Sequence, residues 1–448
     1  MLRDKWASSQ EIMMCAQAAD SPEHIGTKTI QKLQRRIIPY LFVLYVIAYL
    51  DRINISFAAL TMNKALAITS QEFGLLAGIF FFGYLLFEVP SNLLLHKIGA
   101  RIWIARILIS WGVVSMLTGF AHSVLHIYIL RFLLGVAESG FFPGIILYLT
   151  YWFRQREQAQ AVALLMTALA ASNILGAPLS GVILDHVHWF GISSWRWLFI
   201  VEAVPAVIFG ALTYYLLPNR PTEAKFLTQE EIDWIVAELA REERRKLENY
   251  KISALQALAH VRVWHLAFTY FTSVIGSYSM NFWMPQIVKS LSSLYSNTVV
   301  GFLVMIPYVV GLVVMILVSR HSDRTRERRY HAAIPLIIGG IALWSLAVTR
   351  SPLLSIILLS GVVLGIYSSF GPFWSLPSQF LSGFSAASGI ALINSIGNLG
   401  GFVGPYALGV VSRKTGSLHQ GLLLVGVSLF MSAILLMLLP REGQLSSA

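Results

Sequence analysis

The sequence predicts an all-α membrane protein of twelve transmembrane helices in two six-helix halves, with both termini cytoplasmic. Three observations predict it. The 448-residue chain is 56% hydrophobic and 12% charged with mean hydropathy +0.67, and a soluble domain of that make-up would expose too much apolar surface. Apolar segments of about the 20 residues needed to cross a bilayer recur along its length. One long hydrophilic break, from Pro218 to about Arg262, divides them into two sets.

Before the break the segments run over 37–58, 73–95, 102–121, 125–149, 159–184 and 195–217. After it they run over 263–288, 299–319, 332–350, 353–377, 384–411 and 420–439. Each must be helical, because backbone in hydrocarbon needs its hydrogen bonds satisfied internally. A closed β-barrel would show alternation over about ten residues instead. Residues 1–34 read as a polar cytoplasmic tail: the apolar run near Ile12 to Ala19 is short and meets Pro22, unlike a signal peptide. The remaining organisation is a half over 35–217, a cytoplasmic linker over 218–262, a half over 263–440 and a tail over 441–448. Within the linker, Thr228-Gln-Glu-Glu231 has capping-box spacing. Ile232, Ile235, Val236 and Leu239 then mark one face of a short amphipathic helix.

A net charge of +11 invites comparison with nucleic-acid binders, but its distribution argues otherwise. With both termini on one side, roughly two dozen Lys/Arg fall in loops of that side and about six on the other, which makes the rich side cytoplasmic. Basic patches interleaved with aromatics are missing from the pattern, so no nucleic acid is expected as a partner. The single cysteine, Cys15, excludes an internal disulfide and a cysteine metal cluster. No metal or cofactor is expected, and the scattered histidines give no footing for an enzyme.

The halves repeat at matching places. Segment four reads Gly135-Val-Ala-Glu138-Ser139 and then Pro143, whereas segment ten reads Gly365-Ile-Tyr-Ser368-Ser369 and then Pro372. Segments five and eleven share Gly/Pro breaks, Gly176-Ala-Pro178 with Gly181 and Gly400, Gly401 with Gly404-Pro405. Small residues permit close helix contact and such breaks permit bending.

Six plus six helices, a central loop and paired repeats resemble the major facilitator superfamily. Its loop signature, Gly-x-x-x-Asp-Arg/Lys-x-Gly-x-Arg/Lys-Arg/Lys, is partly present twice: around Lys97-Ile-Gly99-Ala-Arg101, with His96 at the acidic place and Asn92 at the first glycine, and as Asp323-Arg324 with Arg328-Arg329. The resemblance implies gate roles for Asp323 and Arg324. Within the superfamily the chain resembles the anion:cation symporters. The pieces that carry this are Tyr49-Leu-Asp51-Arg52-Ile-Asn54-Ile-Ser56, Arg131-Phe-Leu-Leu-Gly135-Val-Ala-Glu138, Asn281-Phe-Trp-Met-Pro285-Gln286, Phe373-Trp374-Ser-Leu-Pro377 and Asn394-Ser-Ile-Gly397-Asn398. That resemblance implies transport of organic anions such as tartrate, sugar acids, phthalate-type acids or hydroxyphenylacetate, and substrate-site positions at Tyr84 and Trp374.

The residues support such chemistry independently. Asp51, Arg52, Glu88, Arg131, Glu138 and Glu202 lie inside apolar segments of the first half, and the segments of the second half carry no acid. A charge at mid-bilayer costs about 2.5–3.5 kcal/mol on insertion scales, so it usually marks an ion or substrate path. Tyr45, Tyr49 and Arg52 share a face at i, i+4 and i+7, and a guanidinium there can clamp a carboxylate through two hydrogen bonds. A permanent salt bridge of Arg52 with Asp51 is the structural alternative. Asp51 and Glu138 are the expected proton sites, with Arg131, seven residues before Glu138, stabilising its ionised form. Glu88 either faces the path or packs a helix. Glu202 is expected to pair with Arg196. Ser172 and Asn173 are possible contacts on segment five.

In the second half Tyr278, Asn281, Tyr308, Tyr367, Ser369, Trp374, Asn394 and Asn398 offer neutral groups that could bond substrate hydroxyls or simply hold helices together. The expected function is a proton-coupled symporter, monomeric and multi-pass in a bacterial inner membrane, whose partners are protons, lipid and a small hydroxylated acid such as tartrate or a sugar acid. An aromatic carboxylate as cargo, and exchange or uniport as mode, stay open.

Overall fold

The structure, a computed structural model, describes residues 22–248, 259–377 and 383–439. The first half contains α1 (Pro22–Ala65), α2 (Ser70–Ile98), α3 (Ala100–Thr118), α4 (Val124–Glu138), α5 (Phe141–Thr150), α6 (Gln155–His186) and α7 (Ser194–Leu216). The linker holds α8 (Gln229–Glu248). The second half contains α9 (Val261–Ser290), α10 (Asn297–Thr325), α11 (Arg329–Val348), α12 (Pro352–Ser375), α13 (Gly383–Thr415) and α14 (Leu418–Leu438). No strand occurs among the described residues. With α4 and α5 sharing one crossing, these helices give twelve crossings. Ten are long and apolar enough to span a bilayer on length and composition. The other two, α9 and α13, are 30 and 33 residues long and pack on each other.

Two elements differ from expectation. Helix α1 begins at Pro22, so residues 22–34 are not a separate tail but its first turns. Thr29, Ile30, Leu33 and Ile37 are buried on one face, while Lys28, Gln31, Arg35 and Arg36 line the outer one. The charges that read as tail are that outer face. Residues 1–21, including Cys15, and the tail 441–448 lie outside the described residues.

The fourth crossing is also broken, between Glu138 and Phe141. Gly140 takes φ +79°, a conformation that favours glycine, and a Cβ there would lie 2.4 Å from Ser91 Oγ. Ser91 Oγ donates to Ser139 O at 2.6 Å and accepts from Trp103 Nε1 at 3.0 Å, which braces the break. Glu138 therefore ends a half-helix, a common setting for membrane sites.

The halves repeat their internal pairings. Helix α3 packs on α7 as α11 packs on α14, α2 on α4 as α10 on α12, and α1 on α6 as α9 on α13. Between the halves α6 meets α10, α2 meets α13 and α1 meets α9, a set unchanged when the halves are exchanged. Glycines permit the closest approaches: a Cβ on Gly301 would lie 2.3 Å from Ala177 O, and one on Gly74 would lie 2.5 Å from Pro405 O. Both approaches lie on the membrane side opposite the linker.

The linker helix docks on the first half. Its capping box forms as the spacing predicts: Thr228 N donates to Glu231 Oε2 at 2.9 Å, and Glu231 N to Thr228 Oγ1 at 3.3 Å. Lys32 of α1 pairs with Glu231 at 2.7 Å, and the Arg154 guanidinium lies 5.3 Å from the Trp234 ring.

Candidate functional site

Arg52 is buried where the two halves meet. Its Nη2 donates to Glu138 Oε1 at the end of α4, and its Nη1 donates to Tyr278 Oη on α9 at 3.0 Å. Phe80, Tyr49 and Tyr84 place their rings 5.0, 5.5 and 5.5 Å from the guanidinium carbon. Aromatic faces attract a cation at such distances. The side chain is thus held by both halves at once, and its Nε finds no acceptor among the described residues.

Asp51 turns the other way. Its carboxylate accepts from Trp111 Nε1 and Ser115 Oγ on α3, each at 3.0 Å, and from Asn54 Nδ2 at 3.4 Å. Successive helical residues point about 100° apart, so sequence neighbours need not pair. No permanent Asp51–Arg52 bridge forms. Arg131 is fully buried, and its Nη2 donates to the Arg52 carbonyl at 3.3 Å rather than to Glu138. Its Nε and Nη1 have no acceptor among the described residues. Two guanidiniums and two carboxylates are thus gathered out of water with hydrogen bonds incomplete. Breaking such a pair by removing one partner is strongly destabilising.

The second half meets this cluster with neutral groups. Asn281 Nδ2 donates to Tyr49 Oη across the halves at 3.3 Å, and Tyr308 Oη donates to Asn281 Oδ1 at 2.7 Å. Trp374 packs edge-on against Tyr270 at 4.9 Å. On α13, Asn394 Nδ2 and Ser395 Oγ both reach the Glu88 carboxylate at 3.5 Å, and half-buried Asn398 stands one turn further on. Tyr84, Tyr278 and Tyr49 all lie in the shell around Arg52.

Of the remaining candidates, Glu202 does not pair with Arg196. Glu202 accepts from Ser180 Oγ at 2.6 Å, while Arg196 donates to Gly119 O at 2.9 Å and stacks on Trp195. Six residues turn a helix by about 600°, which puts Arg196 and Glu202 on different faces. Ser172 Oγ donates to Val46 O of α1 at 3.1 Å, and Asn173 Nδ2 donates to Leu169 O of its own helix at 2.9 Å. Asp323 and exposed Arg324 lie in the last turn of α10, where Asp323 pairs with Arg328, just before α11, at 2.5 Å.

Trp111, Ser115, Phe80, Tyr270 and Ser395 belong to the site's surroundings but did not stand out in the sequence. Ser115 and Trp111 form a polar pair at i, i+4 inside an apolar segment, a signal that could have found them. Phe80 and Tyr270 read as ordinary packing aromatics.

The Major Facilitator Superfamily model matches residues 41–405. The chain is 47% identical to a protein of Agrobacterium vitis named "Putative tartrate transporter", across 94% of this chain and 93% of the relative. It is 39% identical to the "Putative metabolite transport protein NicT" of Pseudomonas putida, across 93% and 96%. Among solved structures it is similar in fold to an inward-facing, occupied bacterial homologue of the human lysosomal transporter Spinster. That match has TM-score 0.73 and 14% identity, and covers 90% of this chain and 96% of that one.

Proposed function

The chain belongs to the Major Facilitator Superfamily and is a multi-pass membrane protein, and on that premise we propose that it imports a small hydroxylated organic acid anion, such as tartrate or a sugar acid, together with protons. The relative named for tartrate supports an organic anion as cargo. The observation that carries the proposal is the shared hold on Arg52, by Glu138 from its own half and Tyr278 from the other.

Glu138 occupies the guanidinium face that a substrate carboxylate would use. A carboxylate therefore competes with Glu138, and the competition is won when Glu138 takes a proton. Proton loading then precedes anion binding, and release follows in reverse. Because Tyr278 lies across the interface, rocking the halves breaks or makes the Arg52–Tyr278 bond, so occupancy of Arg52 bears on the conformational equilibrium. A ligand shifts such an equilibrium only through unequal affinity for its states. Asp51, held by Trp111 and Ser115 on the far side of α1, serves as the second proton site, and Arg131 balances the charge between the two acids. The setting is the bacterial inner membrane.

An aromatic carboxylate is the second reading, favoured by the Tyr270–Trp374–Phe373 cluster, whose centroids lie 4.9–5.4 Å apart. Uptake into proteoliposomes tests both. Tartrate or a sugar acid should accumulate against its gradient when the lumen is made alkaline, and a protonophore should abolish accumulation. Accumulation that ignores the protonophore would contradict proton coupling.

A further inference from the structure

Glu88 is buried, lies two residues before Pro90 in α2, and has no part in the mechanism above. It is a first-half acid that reaches the second half: Asn394 Nδ2 and Ser395 Oγ of α13 each stand 3.5 Å from one of its oxygens. Both contacts are at the outer limit of a hydrogen bond, so most of the carboxylate's roughly four acceptor sites stay uncommitted. Glu88 is four residues, about 6 Å along the helix, beyond Tyr84, whose ring lies 5.5 Å from the Arg52 guanidinium carbon.

Resting on the proposed anion import, we propose that Glu88 is the specificity-determining residue for the far end of the cargo. Among six-carbon sugar acids, it selects the polyhydroxy acid with a single carboxylate over the one with a carboxylate at each end. An acceptor-rich carboxylate flanked by an amide and a hydroxyl suits neighbouring alcohol groups, which donate to Glu88 and accept from Asn394 and Ser395. The same position meets a second substrate carboxylate with like charge and no donor of its own. A six-carbon acid held by Arg52 at one end would extend past Tyr84 along α2 toward Glu88. Arg52 thus reads the charged end, and Glu88 favours a neutral opposite end in a six-carbon acid.

Gluconate and glucarate form a matched pair that differs only in whether carbon six is an alcohol or a carboxylate. Calorimetric binding of each to the purified wild-type protein should show gluconate at least about tenfold tighter. In Glu88→Gln the ratio should fall toward one, through weaker gluconate and stronger glucarate binding. Glu88→Asp, which keeps the charge, should preserve the preference and guards against a folding defect in the first variant. Equal affinity, tighter glucarate, or an unchanged ratio in Glu88→Gln would overturn the assignment while leaving anion import intact. Failure of every organic acid to bind would remove the import proposal, and this one with it.

Discussion

Arg52 is bonded to Glu138, eighty-six positions away in the chain, and not to its neighbour Asp51. The two adjacent residues divide the first half's chemistry between two faces of α1. Arg52 looks to the junction with the second half, and Asp51 looks to α3.

If Glu138 must be protonated to release Arg52, Glu138→Gln mimics the released state permanently. Proton-driven accumulation in that variant should fall at least about tenfold. Counterflow between equal internal and external substrate, which needs no net proton movement, should persist. Uphill uptake at the wild-type level would remove Glu138 from the coupling.

Asp51→Asn should damage stability as well as coupling. The carboxylate accepts from three side chains, whereas an amide has a single oxygen and turns a donor toward Trp111 or Ser115. A buried donor left unpaired costs about 1–3 kcal/mol. A thermal melt should therefore show a lowered midpoint for Asp51→Asn, and restored stability on adding Trp111→Phe would identify the orphaned donor. An unchanged melt would contradict this bonding.

On the side opposite the linker, Asp185 of α6 caps α10 of the other half. It accepts from Asn297 N at 3.2 Å, Asn297 Nδ2 at 2.7 Å and Thr298 N at 2.6 Å. A capping carboxylate is worth about 1 kcal/mol, a several-fold bias in a two-state equilibrium. Asp185→Ala should shift the protein toward opening at that end. Spin labels on the α6–α7 and α9–α10 loops should report a larger share of long distances, and an unaltered distribution would rule the latch out.

Docking of the linker helix should weaken in acid. Burial tends to raise the Glu231 carboxyl, but hydrogen bonds from Lys32 and the Thr228 amide, with the charges of Lys32 and Lys28, outweigh it and hold the group below its ordinary value. A carboxyl lower in the folded state gives stability that is present above the ordinary carboxylate range, and it is lost as pH falls through the folded value. Amide protection factors in α8, which remove the intrinsic pH dependence of exchange, should therefore fall as pH drops below about 4, and Glu231→Gln should flatten the response. A pH-independent protection factor in the wild type would contradict the Lys32–Glu231 tie.

Much of this fold is written in local pattern. Crossing helices follow from apolar length, and the linker helix from the Thr228–Glu231 spacing. The Arg52 face was legible because Tyr45, Tyr49 and Arg52 share helical spacing in a segment that should hold no charge. Less legible were features fixed by tertiary contact. The start of α1 at Pro22 depends on burying Ile30 and Leu33 beneath a charged outer face. The break at Gly140 depends on Ser91 from another helix. Partners of buried charges were least visible, because Glu202 and Arg196 find Ser180 and Gly119 on separate helices rather than each other.

Calorimetric titration of the transported acid into Arg52→Lys, beside the wild type, addresses the cluster most directly, because lysine keeps the charge and loses the planar fork. Capture of a carboxylate by the guanidinium predicts at least about tenfold weaker binding, or 1.4 kcal/mol. Wild-type affinity in Arg52→Lys would place the anion elsewhere and contradict the account.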